Sequence, residues 1–130
     1  MKNKFLISIF LFVSTSLFSQ EYVWSVYNIK VDRVNAGQVV SAMDNYLSKP
    51  GNLVDGVTVS LFEIMFASDD VEATHVIAFT GDPDAMNAMY SAGQNDEWQV
   101  MMGTFDQLTE SKGSAAGRSI HTFNLSLIHI

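Results

Sequence analysis

The sequence predicts a small α+β domain in which two helical regions flank a central β-hairpin. Three observations predict it. Val57 to Thr80 holds two apolar, strand-like runs joined by the acidic loop Ser68 to Glu72. Asn35 to Ser48 switches to a three- and four-residue period, with Ala36, Val39, Val40, Met43, Tyr46 and Leu47 forming one apolar stripe. Asp82-Pro83 then opens a second helical region, with a carboxylate at the N-cap and proline at the first helical position.

In chain order, Met1 to Gln20 reads as an export signal. Lys2 and Lys4 make a positive start, Phe5 to Val13 a short apolar run, and Ser14 to Ser19 supplies small polar residues near a cleavage point after Ser19 or Gln20. The alternative is an N-terminal membrane anchor, but the apolar run is short for a span. The expected location is therefore exported, periplasmic or extracellular, with no membrane contact after cleavage. The chain has 130 residues and no cysteine, so a lipid-anchored export signal and disulfides are both excluded.

Removing Lys2 and Lys4 leaves five Lys plus Arg against fourteen Asp plus Glu, a formal charge of about −9. Such a surface repels phosphate backbones, so no nucleic-acid partner is expected. Solubility is the simplest meaning of the acidity.

Glu21 to Val31 is rich in aromatic and β-branched residues and is expected to be a strand. Val23, Ser25, Tyr27, Ile29 and Val31 fall on one side; Tyr22, Trp24, Val26, Asn28 and Lys30 fall on the other. Both sides carry apolar bulk, so both faces should be covered. Asn35 is expected to cap the first helix with Gln38 as its capping-box partner, and Pro50-Gly51 to stop it.

The first hairpin strand runs from Val57 to Phe66. Its apolar side swaps near Leu61-Phe62, which predicts a β-bulge or burial on both faces there. Thr74 to Thr80 is the return strand. Ala85, Met86, Met89 and Tyr90 line the next helix; Gly93-Gln94-Asn95 interrupts it. Asp96-Glu97 opens a further helix, whose stripe is Trp98, Met101, Met102, Phe105 and Leu108 and whose end is placed at Lys112-Gly113. Arg118 to Asn124 is expected to be the last strand. Leu125 to Ile130 ends the chain without a turn, a cap or a polar tail. It reads either as a non-native tail of the kind left by a translated sequencing adapter, so that the chain is a fragment of a longer protein, or as the apolar end of that strand.

The order is β-α-β-β-α-β over residues 21–124, the split-βαβ pattern of ferredoxin-like folds with an antiparallel sheet. It resembles the dimeric α+β barrel superfamily, which includes antibiotic-biosynthesis-type monooxygenases, haem-degrading monooxygenases and stress-responsive barrel proteins. The resemblance implies a sheet with helices on one face and a second copy of the unit, in a homodimer or an intramolecular repeat, on the other. In the haem-degrading members an Asn, a Trp and a His line the cavity. Here Asn28, His75 and Trp98 occur in a different order and setting, so that activity is not carried over.

No stretch carries a catalytic or metal-binding signature. There is no Gly-x-Ser-x-Gly elbow, phosphate loop, thiol or spaced histidine pair. No catalytic residue, metal or cofactor is expected. His75 and His121 are both placed on strands and could meet on one sheet face near Glu63, as a metal or acid-base site; the alternative is two structural histidines. Asp69, Asp70 and Glu72, like Asp82 and Asp84, lack the spacing of a calcium loop and read as solvated acids. The methionine cluster reads as packing between helices. Trp24 and Asn28 share a strand face with Tyr22 and Lys30; that face is either an interface or the wall of a cavity for a small organic ligand. The candidate ligand residues are thus Trp24, Asn28, Glu63, His75 and His121. The expected function is an exported domain that associates through its open sheet face, a binding role in preference to an enzymatic one. The alternative is a small-ligand-binding or monooxygenase-like barrel enzyme using Trp24, Asn28 and His75.

Overall fold

A computed structural model describes residues 21–122; the expected export signal, residues 123 and 124 of the expected last strand, and the 125–130 tail lie outside the described residues. The elements are β1 (Val23–Val31), α1 (Ala36–Leu47), β2 (Val57–Glu63), β3 (His75–Gly81), α2 (Pro83–Ser91), α3 (Asp96–Leu108) and β4 (Thr109–Arg118). The strands form one antiparallel sheet in the order β2-β3-β1-β4. This is the split-βαβ arrangement, with the second helical region divided as the sequence predicts.

Local chemistry sets the helix starts. The Asp82 side chain accepts from the Ala85 N–H at 2.8 Å, and Pro83 takes the first helical position. Asn95 caps α3 in the same way through the Trp98 N–H, with Asp96 and Glu97 in the first turn. Asn35 does not cap α1. A 3-10 turn, Arg33–Asn35, precedes the helix and holds Asn35 at φ −100°, ψ −6°, already helical, whereas a capping side chain needs extended backbone.

Two other expectations are corrected. α3 ends at Leu108, and the residues from Thr109 to Arg118 form β4 instead of a helix end and a loop. Their small side chains have weak strand propensity; pairing with β1 along Val23↔Arg118 to Val31↔Thr109 imposes the strand. Gly113 (φ 106°) lies where that register shifts, between the Tyr27 and Ile29 pairings. β2 also stops at Glu63, before Phe66, and its register with β3 is unbroken from Val57↔Gly81 to Glu63↔His75. No bulge occurs within it, so the Leu61-Phe62 swap reflects apolar residues on both faces.

The core lies between the helices and one sheet face. Ile29, Val31 and Ile77 of the sheet pack with Val39 and Met43 of α1 and Phe105 of α3. Val57 packs with Ala85 and Met86 of α2. Val40, part of the expected α1 stripe, points outward and is exposed. Gly81 permits a close crossing beside the second cluster: a Cβ there would sit 2.7 Å from the Gly56 carbonyl oxygen.

Candidate functional site

The strand register places the even-numbered residues of β1 on the face away from the core. Across it run three rows: Thr58, Thr80, Trp24 and Gly117; Ser60, Ala78, Val26 and Ala115; then Phe62, Val76 and Asn28. Lys30 and Glu110 face each other at its foot and are the only charged residues in these register rows. Trp24, Val26, Val76 and Ala78 are half-buried, and Phe62 is 55% exposed. Trp24 lies flat because its neighbour is glycine: a Cβ on Gly117 would fall 2.6 Å from the indole Cζ2. The three upper rows carry no charge and mix apolar residues with Thr58, Thr80, Ser60 and Asn28, while Lys30, Glu110, Lys112 and Glu72 gather at the foot.

The segment after β2 tightens the foot of this face. The Ile64 N–H donates to the Thr74 carbonyl, and the Thr74 N–H donates to the Ile29 carbonyl. The Thr74 hydroxyl accepts from the Val31 N–H. Farther out, the Lys112 ammonium of β4 bonds Glu72 at 2.7 Å and Glu110 at 2.8 Å. The bond with Lys112 holds the Glu72 carboxyl below the usual carboxylate range, and the bonds to Glu110 and Glu72 push the Lys112 ammonium up. Asp70 accepts from the Ser68 hydroxyl and is likewise lowered. Asp70 and Glu72 of this loop are thus partnered within the chain.

On the helix side, three hydroxyl groups gather between β1 and α2. Ser25 is buried, at 2% exposure, and its Oγ accepts a hydrogen bond from the Tyr90 hydroxyl. Tyr27 stands beside them with its ring edge-on to Phe79 at 5.7 Å. Burial, followed by its bond with Tyr90, pushes the Tyr27 phenol up. A shallow groove of about 420 Å³ runs between α1 and α3, lined by Gly37, Ser41, Asn45 and Thr104 among others. The Lys49–Glu97 ion pair, at 3.2 Å, stands on its lining.

The expected site residues separate. Trp24 and Asn28 share the open face, as their spacing predicts. Glu63 and His75 are direct cross-strand partners, but they fall on the core side of the sheet. His75 Nδ1 lies 2.9 Å from the Thr74 hydroxyl. His121 lies beyond the end of β4, where the Ser119 N–H binds the Tyr22 carbonyl. His75 pairs with Ile29, and β4 ends opposite Val23, so six residues of β1, about 20 Å, separate the two ends. The two histidines do not meet, because His121 is not on the last strand. A single cavity walled by Trp24, Asn28 and His75 is excluded too, since His75 is on the opposite side of the sheet. Among the described residues no three His, Asp or Glu side chains cluster to hold a metal ion. Sequence reasoning missed the Ser25, Tyr27 and Tyr90 cluster; the available signal was a serine and a tyrosine in the otherwise aliphatic core-side period of β1.

No protein-family profile matches the chain, and no curated protein matches it. Solved structures do. A candidate antibiotic-biosynthesis monooxygenase from Caulobacter crescentus superposes with a TM-score of 0.50 at 14% identity, covering 85% of this chain and 98% of its own. A candidate antibiotic-biosynthesis monooxygenase from Chloroflexus aurantiacus gives 0.50 at 8%, covering 79% and 97%. A DABB-family protein with a ferredoxin-like fold from Mesorhizobium loti gives 0.50 at 8%, covering 80% and 100%. The chain has a ferredoxin-like fold. At these identities the likeness concerns the fold alone.

Proposed function

We propose that this protein is a self-associating module whose open sheet face packs on the same face of a second copy, closing an α+β barrel. The observation that carries this is the distribution of charge. Fourteen Asp and Glu residues occur in the chain, yet only Glu110 stands in the open-face rows, opposite Lys30, and Glu72 beside it is held by Lys112. Two such faces meet without like-charge repulsion, and each covers Trp24, Val26, Val76, Ala78 and Phe62 of the other. A symmetric pair uses one patch twice, which suits a face with no intrinsic partner asymmetry. The proposed setting is outside the cytoplasm, supported by the charge and apolar pattern of Met1 to Gln20.

Placing a carboxylate at the centre of the face tests the proposal. Ala78→Asp should leave the circular dichroism of the protomer unchanged and convert a dimer into a monomer in size-exclusion chromatography. A wild-type protein that is already monomeric, or a variant that stays dimeric, contradicts it.

A second reading rests on the hydroxyl cluster. Ser25, Tyr27 and Tyr90 place three hydroxyl groups beside the Phe79 ring, and a small molecule with a carbonyl or phenol group is the class that these groups could hydrogen-bond. Native mass spectrometry of purified protein would then show a retained small molecule that Tyr90→Phe loses; a ligand-free spectrum counts against this reading.

A further inference from the structure

The segment leaving β2 presents an unusual combination. Its base is tied down by the Ile64–Thr74 and Thr74–Ile29 backbone bonds, its turn by the Val71 N–H to the Ser68 carbonyl, and its return limb by Glu72 on Lys112. Ala73 is buried. Yet its outgoing limb holds Met65 at 80% and Phe66 at 93% exposure, next to Phe62 on the open face. Ile64 to Ala67 contains no charge, whereas the turn beyond it carries Asp69, Asp70 and Glu72. An anchored arm that holds methionine and phenylalanine in water is built for contact.

We infer that this arm, residues 64–74, is a clasp that closes over a second copy of the chain, with Met65 and Phe66 as its anchors continuing from Phe62 of β2. The inference rests on the sheet-face reading and adds a specific element to it. Seven paired rows and four strands give the open face a projected footprint of about 19 by 23 Å, whose accessible area is larger but starts from roughly half of the ~800 Å² of accessible surface that each partner buries in a standard interface. The face alone is small for a stable pair. The apolar limb continues from Phe62 at its edge and supplies the missing contact with methionine and an aromatic ring, residue types enriched in interface cores. The acidic turn then remains in solvent at the rim.

The test compares three proteins: wild type, Ala78→Asp and the double variant Met65→Ser with Phe66→Ser. Sedimentation equilibrium should show dimerisation of the double variant weakened at least about tenfold, with unchanged circular dichroism. Hydrogen peroxide with mass-spectrometric readout gives an independent measure, since Met65 is open in the protomer whereas Met43 and Met86 are buried. Met65 should oxidise several-fold more slowly in the wild-type dimer than in Ala78→Asp. If the double variant dimerises like wild type and Met65 reacts equally in both, the clasp is overturned while the sheet-face reading stands. If wild type is monomeric, both fall. Arm-dependent binding of the monomer to phosphatidylcholine vesicles would assign the arm to a lipid surface and also overturn the clasp.

Discussion

The two faces of β1 are made from alternate residues of one strand and differ in what covers them. Ile29 and Val31 are 6% and 4% exposed beneath α1 and α3. Their neighbours Trp24, Val26 and Asn28 are half-buried, and among the described residues no helix packs over them. The first face is a core already complete within the protomer. The second mixes apolar residues with Thr58, Ser60, Thr80 and Asn28 and stays partly open, so under the proposed pairing its contribution falls on association and not on folding. A substitution therefore reports on a different equilibrium according to the parity of its position.

The largest effect is expected on the covered face. Phe105→Ala removes the aromatic centre of the first cluster and should cost about 3–5 kcal/mol of folding stability, read by denaturant titration. If it changed dimerisation and spared folding, the assignment of faces would be reversed. Gly117→Ala acts from the other side. Its methyl group would press on the Trp24 indole and force it off the sheet, at about 1–3 kcal/mol if the ring cannot yield. A shift in tryptophan emission together with weaker association is the expected signature; a drop in protomer stability alone would blunt the contrast.

The smallest effect sharpens the description of the covered side. The Tyr27 phenol is raised, so its contribution to stability is fully present below its unfolded value near 10.0 and is lost as pH rises through the folded value. Tyr90→Phe removes the second cause of the rise and leaves burial, the first. The tyrosinate absorbance of Tyr27 should therefore titrate at lower pH in the variant, with about 0.5–1.5 kcal/mol lost from the hydrogen bond to Ser25. An unchanged titration would mean that the hydroxyl cluster does not form.

Much of the fold was legible because local chemistry and tertiary structure agree. Asp82-Pro83 and the acids after Asn95 mark helix starts, and the period of β1 sorts Trp24 and Asn28 from Ile29 and Val31. The last strand was illegible for the opposite reason. Thr109 to Arg118 is mostly small or polar and is a strand only because β1 pairs with it, whereas Ile120 and Thr122 look strand-like and lie outside the sheet. The misplaced His121 followed from that error. The arm was hidden because Met65 and Phe66 continue the apolar run of β2, and only the register shows that pairing as a strand ends at Glu63. Cross-strand neighbours such as Glu63 and His75 depend on register, which periodicity alone does not set.

Trp24 tests the central claim most directly, because it sits on the open face while Trp98 packs edge-on against Tyr46 between helices. In a Trp98→Phe background, acrylamide quenching of Trp24 should fall several-fold as protein concentration rises through the dimerisation range. In a Trp24→Phe background, Trp98 should quench equally at every concentration. Trp24 that stays equally open at all concentrations would contradict the account, since the face it occupies would then have no second copy to cover it.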